Sequence, residues 1–147
     1  MQSKQRGWTV TNFIVVVIVV GMIGLALWFF SRSNVQAVTA AEFVNPPTTI
    51  PQAPATGTFV YEITRKIGSS PARGIPSRTT KFKVFPEAGV EIVSLNTTPV
   101  GADVGTKATD ASGQVTVVVQ IDYAGTARLV AIDKDTNREE QVRFMGR

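Results

Sequence analysis

The stretch Gln114–Ile121, QVTVVVQI, decides the fold class of this chain. On an extended backbone Val115, Val117, Val119 and Ile121 fall on one face, and Gln114, Thr116 and Gln120 on the other. That period of two, carried by β-branched residues, is the mark of a half-buried strand. Working outward, the alternation recurs. Thr58 to Arg65 places Phe59, Tyr61 and Ile63 together, and Thr80 to Phe85 alternates Lys81 and Lys83 with Phe82 and Val84. Val90 to Leu95, Thr126 to Ile132 and Glu139 to Phe144 are three further strand candidates. No segment after Gly57 sustains a helical 3.6-residue apolar period.

The connections have turn chemistry: Pro86 to Gly89, Asp110 to Gly113, Asp122 to Gly125 and Asp133 to Asn137. Each supplies Asp, Asn, Pro or Gly for positive φ or for local capping by a side chain. Six or seven short strands at this spacing predict an all-β antiparallel sandwich over residues 58–147.

The amino-terminal third reads differently. Phe13 to Phe30, FIVVVIVVGMIGLALWFF, contains no charge, amide or hydroxyl. At ~1.5 Å per helical residue it covers roughly 27 Å, close to the ~30 Å hydrocarbon core of a bilayer. The reading is a transmembrane helix over 13–30, preceded by a cytoplasmic amino terminus over 1–12. Lys4 and Arg6 precede the span, whereas Arg32 is the one basic residue close behind it. The positive-inside rule then makes the segment an uncleaved signal-anchor, with the carboxy-terminal domain periplasmic or extracellular. Trp8 and Trp28 mark the two membrane interfaces. Residues 31–57, with NPPTTIPQAPATG from Asn45 to Gly57, read as a Pro-rich linker biased to extended geometry.

Composition excludes several function classes. The 147 residues include no Cys and no His, which removes disulfides, thiol nucleophiles, histidine bases and nearly all zinc or haem ligation. The net charge of +4 is modest and its basic residues are scattered among strands, which argues against nucleic acid as a partner. Asp133 to Asn137 imitates the start of a calcium loop, but Arg138 stands where Gly is required and Phe144 where a bidentate Glu is required. Asn96-Thr97-Thr98 matches a glycosylation sequon, a triplet that arises often by chance. Glu139 and Glu140 have no evident apolar pocket to raise a pKa. No catalytic, metal or cofactor-binding residue emerges, and no small-molecule substrate or cofactor is implied.

One uneven feature remains. Arg65, Lys66, Arg73, Arg78, Lys81 and Lys83 form a run with no acidic residue among them. They are the candidate contacts to a partner surface or to lipid headgroups.

The residues from Gly74 to Asp133 resemble the bacterial immunoglobulin-like domains of the invasin and intimin type. The resemblance rests on the strand Thr80 to Phe85 followed by Gly89-Val90-Glu91-Ile92, on TDASGQVTV from Thr109 to Val117, and on Ala124-Gly125-Thr126-Ala127 leading into Leu129 and Ala131. It implies a two-sheet Ig-like sandwich and a role in spacing, adhesion or complex assembly without catalysis. This sequence has one such domain behind an anchor, where family members usually string many. The expected function is a non-catalytic, single-pass membrane-anchored accessory or scaffold subunit of a larger membrane complex, with the lipid bilayer and other membrane protein subunits as partners. The alternative is a cell-surface or virion adhesion or spacer module.

Overall fold

A computed structural model describes residues 10–32 and 37–147. The chain divides into two compact units, Met1–Gln36 and Ala37–Arg147.

The first unit contains α1, Val10–Arg32, which encloses the apolar stretch 13–30. It has no acidic residue in its first turn and no polar stripe, because its sequence is apolar on every side. Over residues 14–25, where its side chains are described, the large apolar groups are exposed, from 42% at Val16 to 66% at Met22. That described run is shorter than the ~20 residues a bilayer requires. Among the described residues, therefore, no helix is long and apolar enough to cross a membrane. Trp8 lies outside the described residues, as does the side chain of Trp28.

The second unit is a β-sandwich. Its strands are β1 (Ala37–Val44), β2 (Thr49–Ile50), β3 (Ala55–Ile67), β4 (Arg73–Gly74), β5 (Thr79–Phe85), β6 (Val90–Leu95), β7 (Thr98–Ala102), β8 (Val104–Ala108), β9 (Gln114–Ile121), β10 (Gly125–Asp133) and β11 (Glu139–Gly146). One sheet, here sheet A, has the order β1-β3-β9-β6-β7, with β4 also paired to β3. The other, sheet B, has the order β2-β11-β10-β5-β8. All pairings are antiparallel except β2 with β11, which is parallel.

The strand that decided the fold class is central in sheet A. β9 pairs with β3 from Ala55↔Ile121 to Glu62↔Gln114 and with β6 on its other side. Val115, Val117, Val119 and Ile121 are fully buried. Phe59, Tyr61 and Ile63 from β3 join them, and Phe82, Val84, Leu129 and Phe144 close the core from sheet B. Aromatic rings connect the two sheets. Phe59 meets Phe144 at 5.0 Å between centroids, and Tyr61 meets Phe82 edge-on at 5.6 Å.

One expectation needs correction, and two strands were not expected. Residues 31–57 are not all linker, because from Ala37 onward they belong to the sandwich. β1 pairs with β3 along its whole length, Ala37↔Ile67 to Val44↔Val60, and Ile50 on β2 is 1% exposed in the core. The prolines mark the ends of short edge strands, where a missing N–H donor costs no ladder bond. The segment 98–108 also forms two strands, β7 and β8, that no alternation announced. They sit at the edges of the two sheets, and on β8 the inward position is Gly105, against Leu95 and Val100, so no apolar alternation marks them in the sequence.

Candidate interaction site

The six basic residues singled out from the sequence do not form one patch. The fold divides them among three environments.

The first is a pocket at the β3–β4 hairpin. Arg65 and Arg73 are directly opposed in the ladder, and both are exposed. With Ile67, Pro71, Ile75 and Pro76 they line a pocket of about 390 Å³. Its base is rigid for a specific reason. A Cβ on Gly74 would collide with the carbonyl of Ser112, and one on Gly113, at φ +81°, with the backbone of Gly74 and Ile75. Only two glycines let these backbones touch. The Ser112–Gly113 side is held by Asp110, whose Oδ1 accepts from Ser112 N at 2.8 Å, Ser112 Oγ at 2.7 Å and Gln114 N at 3.0 Å. The Gln114 N–H bond, followed by that of the Ser112 hydroxyl, lowers the Asp110 pKa. Ile63 N then donates to Gly113 O at 2.9 Å, and Ile75 N to Ile63 O at 2.8 Å. Lys66 is exposed on the neighbouring position of β3, opposite Val38.

The second environment is internal. Arg78 Nη2 donates to Asp133 Oδ2 at 2.9 Å, and its Nε donates to Asp133 Oδ1 at 3.2 Å. Asp133 is 1% exposed and also accepts from Thr136 Oγ1 at 2.7 Å and Asp135 N at 3.1 Å. Burial pushes its carboxyl up, but the Arg78 bond, the Thr136 hydroxyl and the Asp135 N–H outweigh burial and hold it below the ordinary carboxylate value. Arg78 is thus bound within the domain. The same contacts make the Asp133–Asn137 segment a structural turn, and Asp133 and Asp135 face a guanidinium.

Beside this pair lie two buried hydroxyls with no hydrogen-bond partner, those of Tyr61 and Thr80. Thr80 is opposite Asp133 in the ladder. Desolvation, aided by the negative charges of Asp133 and Glu140, pushes the Tyr61 phenol up to about 12.

The third environment is the outer face of sheet B. Thr80, Phe82 and Val84 of β5 point into the core, so Lys81, Lys83 and Phe85 point outward. Across the ladder, Lys83 is opposite Val130 and Phe85 is opposite Arg128, which is in turn opposite Arg143. The Arg128 guanidinium lies over the Phe85 ring, 4.5 Å from its centroid. Phe85, Pro86, Thr126, Arg128 and Arg143 line a second pocket of about 370 Å³.

Sequence reasoning missed Arg128 and Arg143. The signal was available in principle, since the Asp133–Asn137 turn makes β10 and β11 a hairpin and aligns the two arginines. Among the described residues no group of three or more acidic side chains is placed to hold a metal ion.

In fold, the domain is similar to domains 4 and 5 of the S-layer protein SbsC, with a TM-score of 0.50 and 11% identity over 76% of this chain and 53% of that one. The chain thus spans about half the length of that S-layer structure. Other similar structures are the D0–D1 domain of intimin, at TM-score 0.43 and 16% identity over 76% and 50%, and the CARDB domain of the PF1109 protein from Pyrococcus furiosus in complex with di-metal ions, at 0.41 and 14% over 75% and 93%. No protein-family model and no curated protein matches the sequence. The likeness is one of fold: the domain is a two-sheet, mostly antiparallel β-sandwich consistent with an Ig-like all-β fold.

Proposed function

We propose that the chain is a non-catalytic, single-pass membrane-anchored accessory or scaffold protein. In this reading α1 lies in the lipid bilayer, the amino terminus is cytoplasmic, and the Ig-like domain contacts other membrane protein subunits on the extracytoplasmic side. The observation that carries it is the apolar run 13–30 inside the 23-residue helix α1, whose described side chains are exposed all round. A helix with no polar face needs either a protein core around it or lipid. The bias of Lys4 and Arg6 to one side of the run supports the orientation. The domain supports a binding role, because its charged groups lie in ladders and turns and two of its pockets are lined by arginine and apolar side chains.

The experiment is extraction of native membranes with alkaline carbonate, followed by protease digestion of intact spheroplasts. The protein should stay in the membrane pellet, and external protease should remove the domain from Ala37 onward. Release into the supernatant, or protection of the domain until lysis, would overturn the anchor or its orientation respectively.

A further inference from the structure

The two outer faces of the sandwich have opposite net charge: three glutamates and Lys66 lie on the sheet A face, and four basic residues and Glu139 on the sheet B face. On sheet B, Arg128 and Arg143 are directly opposed between β10 and β11, and Lys81 and Lys83 project from the neighbouring β5. On sheet A, Glu42 and Glu62 are directly opposed between β1 and β3, and Glu91 lies on the same face opposite Gln120. Like charges placed opposite each other in an antiparallel pair are destabilising. The ion pairs among the described residues join Arg78 to Asp133 and Asp135, and Arg138 to Glu140. None of these nine face charges takes part in them; Glu62 accepts from Gln114 Nε2 at 3.3 Å, and Arg128 lies over the Phe85 ring.

Each face also has apolar side chains that reach the surface. Val60 and Val118 stand half-buried between the glutamates of sheet A, and Val104 is exposed near Lys83 on sheet B. Apolar side chains flanked by charge mainly of one sign fit a surface whose charge is mainly of the other.

We propose that the acidic outer face of sheet A in one copy docks on the basic outer face of sheet B in a second copy. The two faces differ, so the contact is heterologous and propagates as a row of domains instead of closing as a pair. An anionic membrane surface is the competing occupant of the basic face, but it gives the Glu42–Glu62 pair no counterpart. A second copy satisfies both faces at once. The inference stands on the domain and does not depend on the anchor.

The natural chain has no cysteine, which makes directed cross-linking clean. Thr58, exposed on the sheet A face, and Thr106, exposed on the sheet B face, are replaced separately: Thr58→Cys in one sample and Thr106→Cys in another. Both are made in the full chain in vesicles of phosphatidylcholine and treated with a short bismaleimide. The mixture should give a cross-linked dimer at low salt, and either sample alone should give far less. Yield should fall about tenfold or more in 1 M salt, where screening shortens to ~3 Å, or when the Thr58→Cys chain also carries Glu42→Lys and Glu62→Lys. It should return when the Thr106→Cys partner then carries Arg128→Glu and Arg143→Glu, a rescue that a folding defect could not produce. Equal yields in the mixture and the single samples would overturn the proposal, as would yields indifferent to salt and charge. Absence of cross-linking would do the same, and binding to phosphatidylglycerol vesicles lost on Arg128→Glu with Arg143→Glu would then assign the basic face to lipid.

Discussion

Replacing Arg78 by Met tests the account of the polar end of the sandwich. Asp133 is 1% exposed, and Arg78 supplies both the opposite charge and two of the hydrogen bonds it accepts, at 2.9 and 3.2 Å. After Arg78→Met the carboxylate keeps Thr136 and the Asp135 N–H, with no cation within the site. Removing one partner of a buried pair typically costs about 3–5 kcal/mol, a large share of the 5–15 kcal/mol that holds such a domain folded. With a urea slope of roughly 1–2 kcal/mol per M for a domain of this size, the unfolding midpoint of residues 37–147 should drop by about 1.5–5 M. Arg78→Lys keeps the charge but loses the planar two-pronged geometry, so its midpoint should fall between. The pH dependence has a fixed sign. Asp133's folded pKa is lowered, so its contribution is present above the ordinary value of ~3.9 and is lost as pH falls through the folded value. The gap between wild type and Arg78→Met should therefore narrow below about pH 4. A midpoint shift smaller than about 0.5 M at pH 7, or a gap that widens on acidification, would refute the reasoning.

Four further outcomes are expected. Tyr61→Phe removes a buried hydroxyl that has no partner, so it should leave the urea midpoint unchanged or raise it by up to about 1–2 kcal/mol equivalent; a clear loss would mean that the hydroxyl is satisfied. Because the folded Tyr61 pKa is raised to about 12, its contribution is intact below the unfolded value of ~10 and lost as pH climbs toward 12, and an alkaline unfolding series should show that loss in wild type and not in Tyr61→Phe. Val117→Asp places a charge at a fully buried position and should unfold the domain, whereas Thr116→Asp, on the outer face, should melt near wild type; equal effects on melting temperature would show the register to be wrong. Gly74→Ala forces the hairpin away from the Ser112 carbonyl, so limited trypsin digestion at Arg65, Lys66 and Arg73 should accelerate several-fold, and an unchanged digestion rate would contradict the close approach.

Much of the sandwich was legible in the sequence because burial on one face of a strand enforces a period of two. QVTVVVQI and the β3 and β5 runs follow that rule, and their inward residues are the ones buried. The turns after β5, β9 and β10 were legible for a related reason, since Asp, Asn and Gly act on their immediate neighbours. The apolar stretch 13–30 was equally plain as a helix-length run. What could not be read locally was the use of edge strands. β1 and β2 lie in a proline-rich, weakly alternating segment, and they are strands because β3 and β11 offer them free backbone groups. The basic run met the same limit. Adjacent positions in sequence, from Arg65 to Lys83, are divided among a pocket, an internal ion pair and an outer face, while Arg128 and Arg143, fifteen residues apart in sequence, are brought face to face. Sequence alone determines which side chains share a strand face, because that depends on local backbone geometry. Which faces meet, and which charges are left without partners, depends on long-range pairing of the strands, and only the tertiary structure decides it.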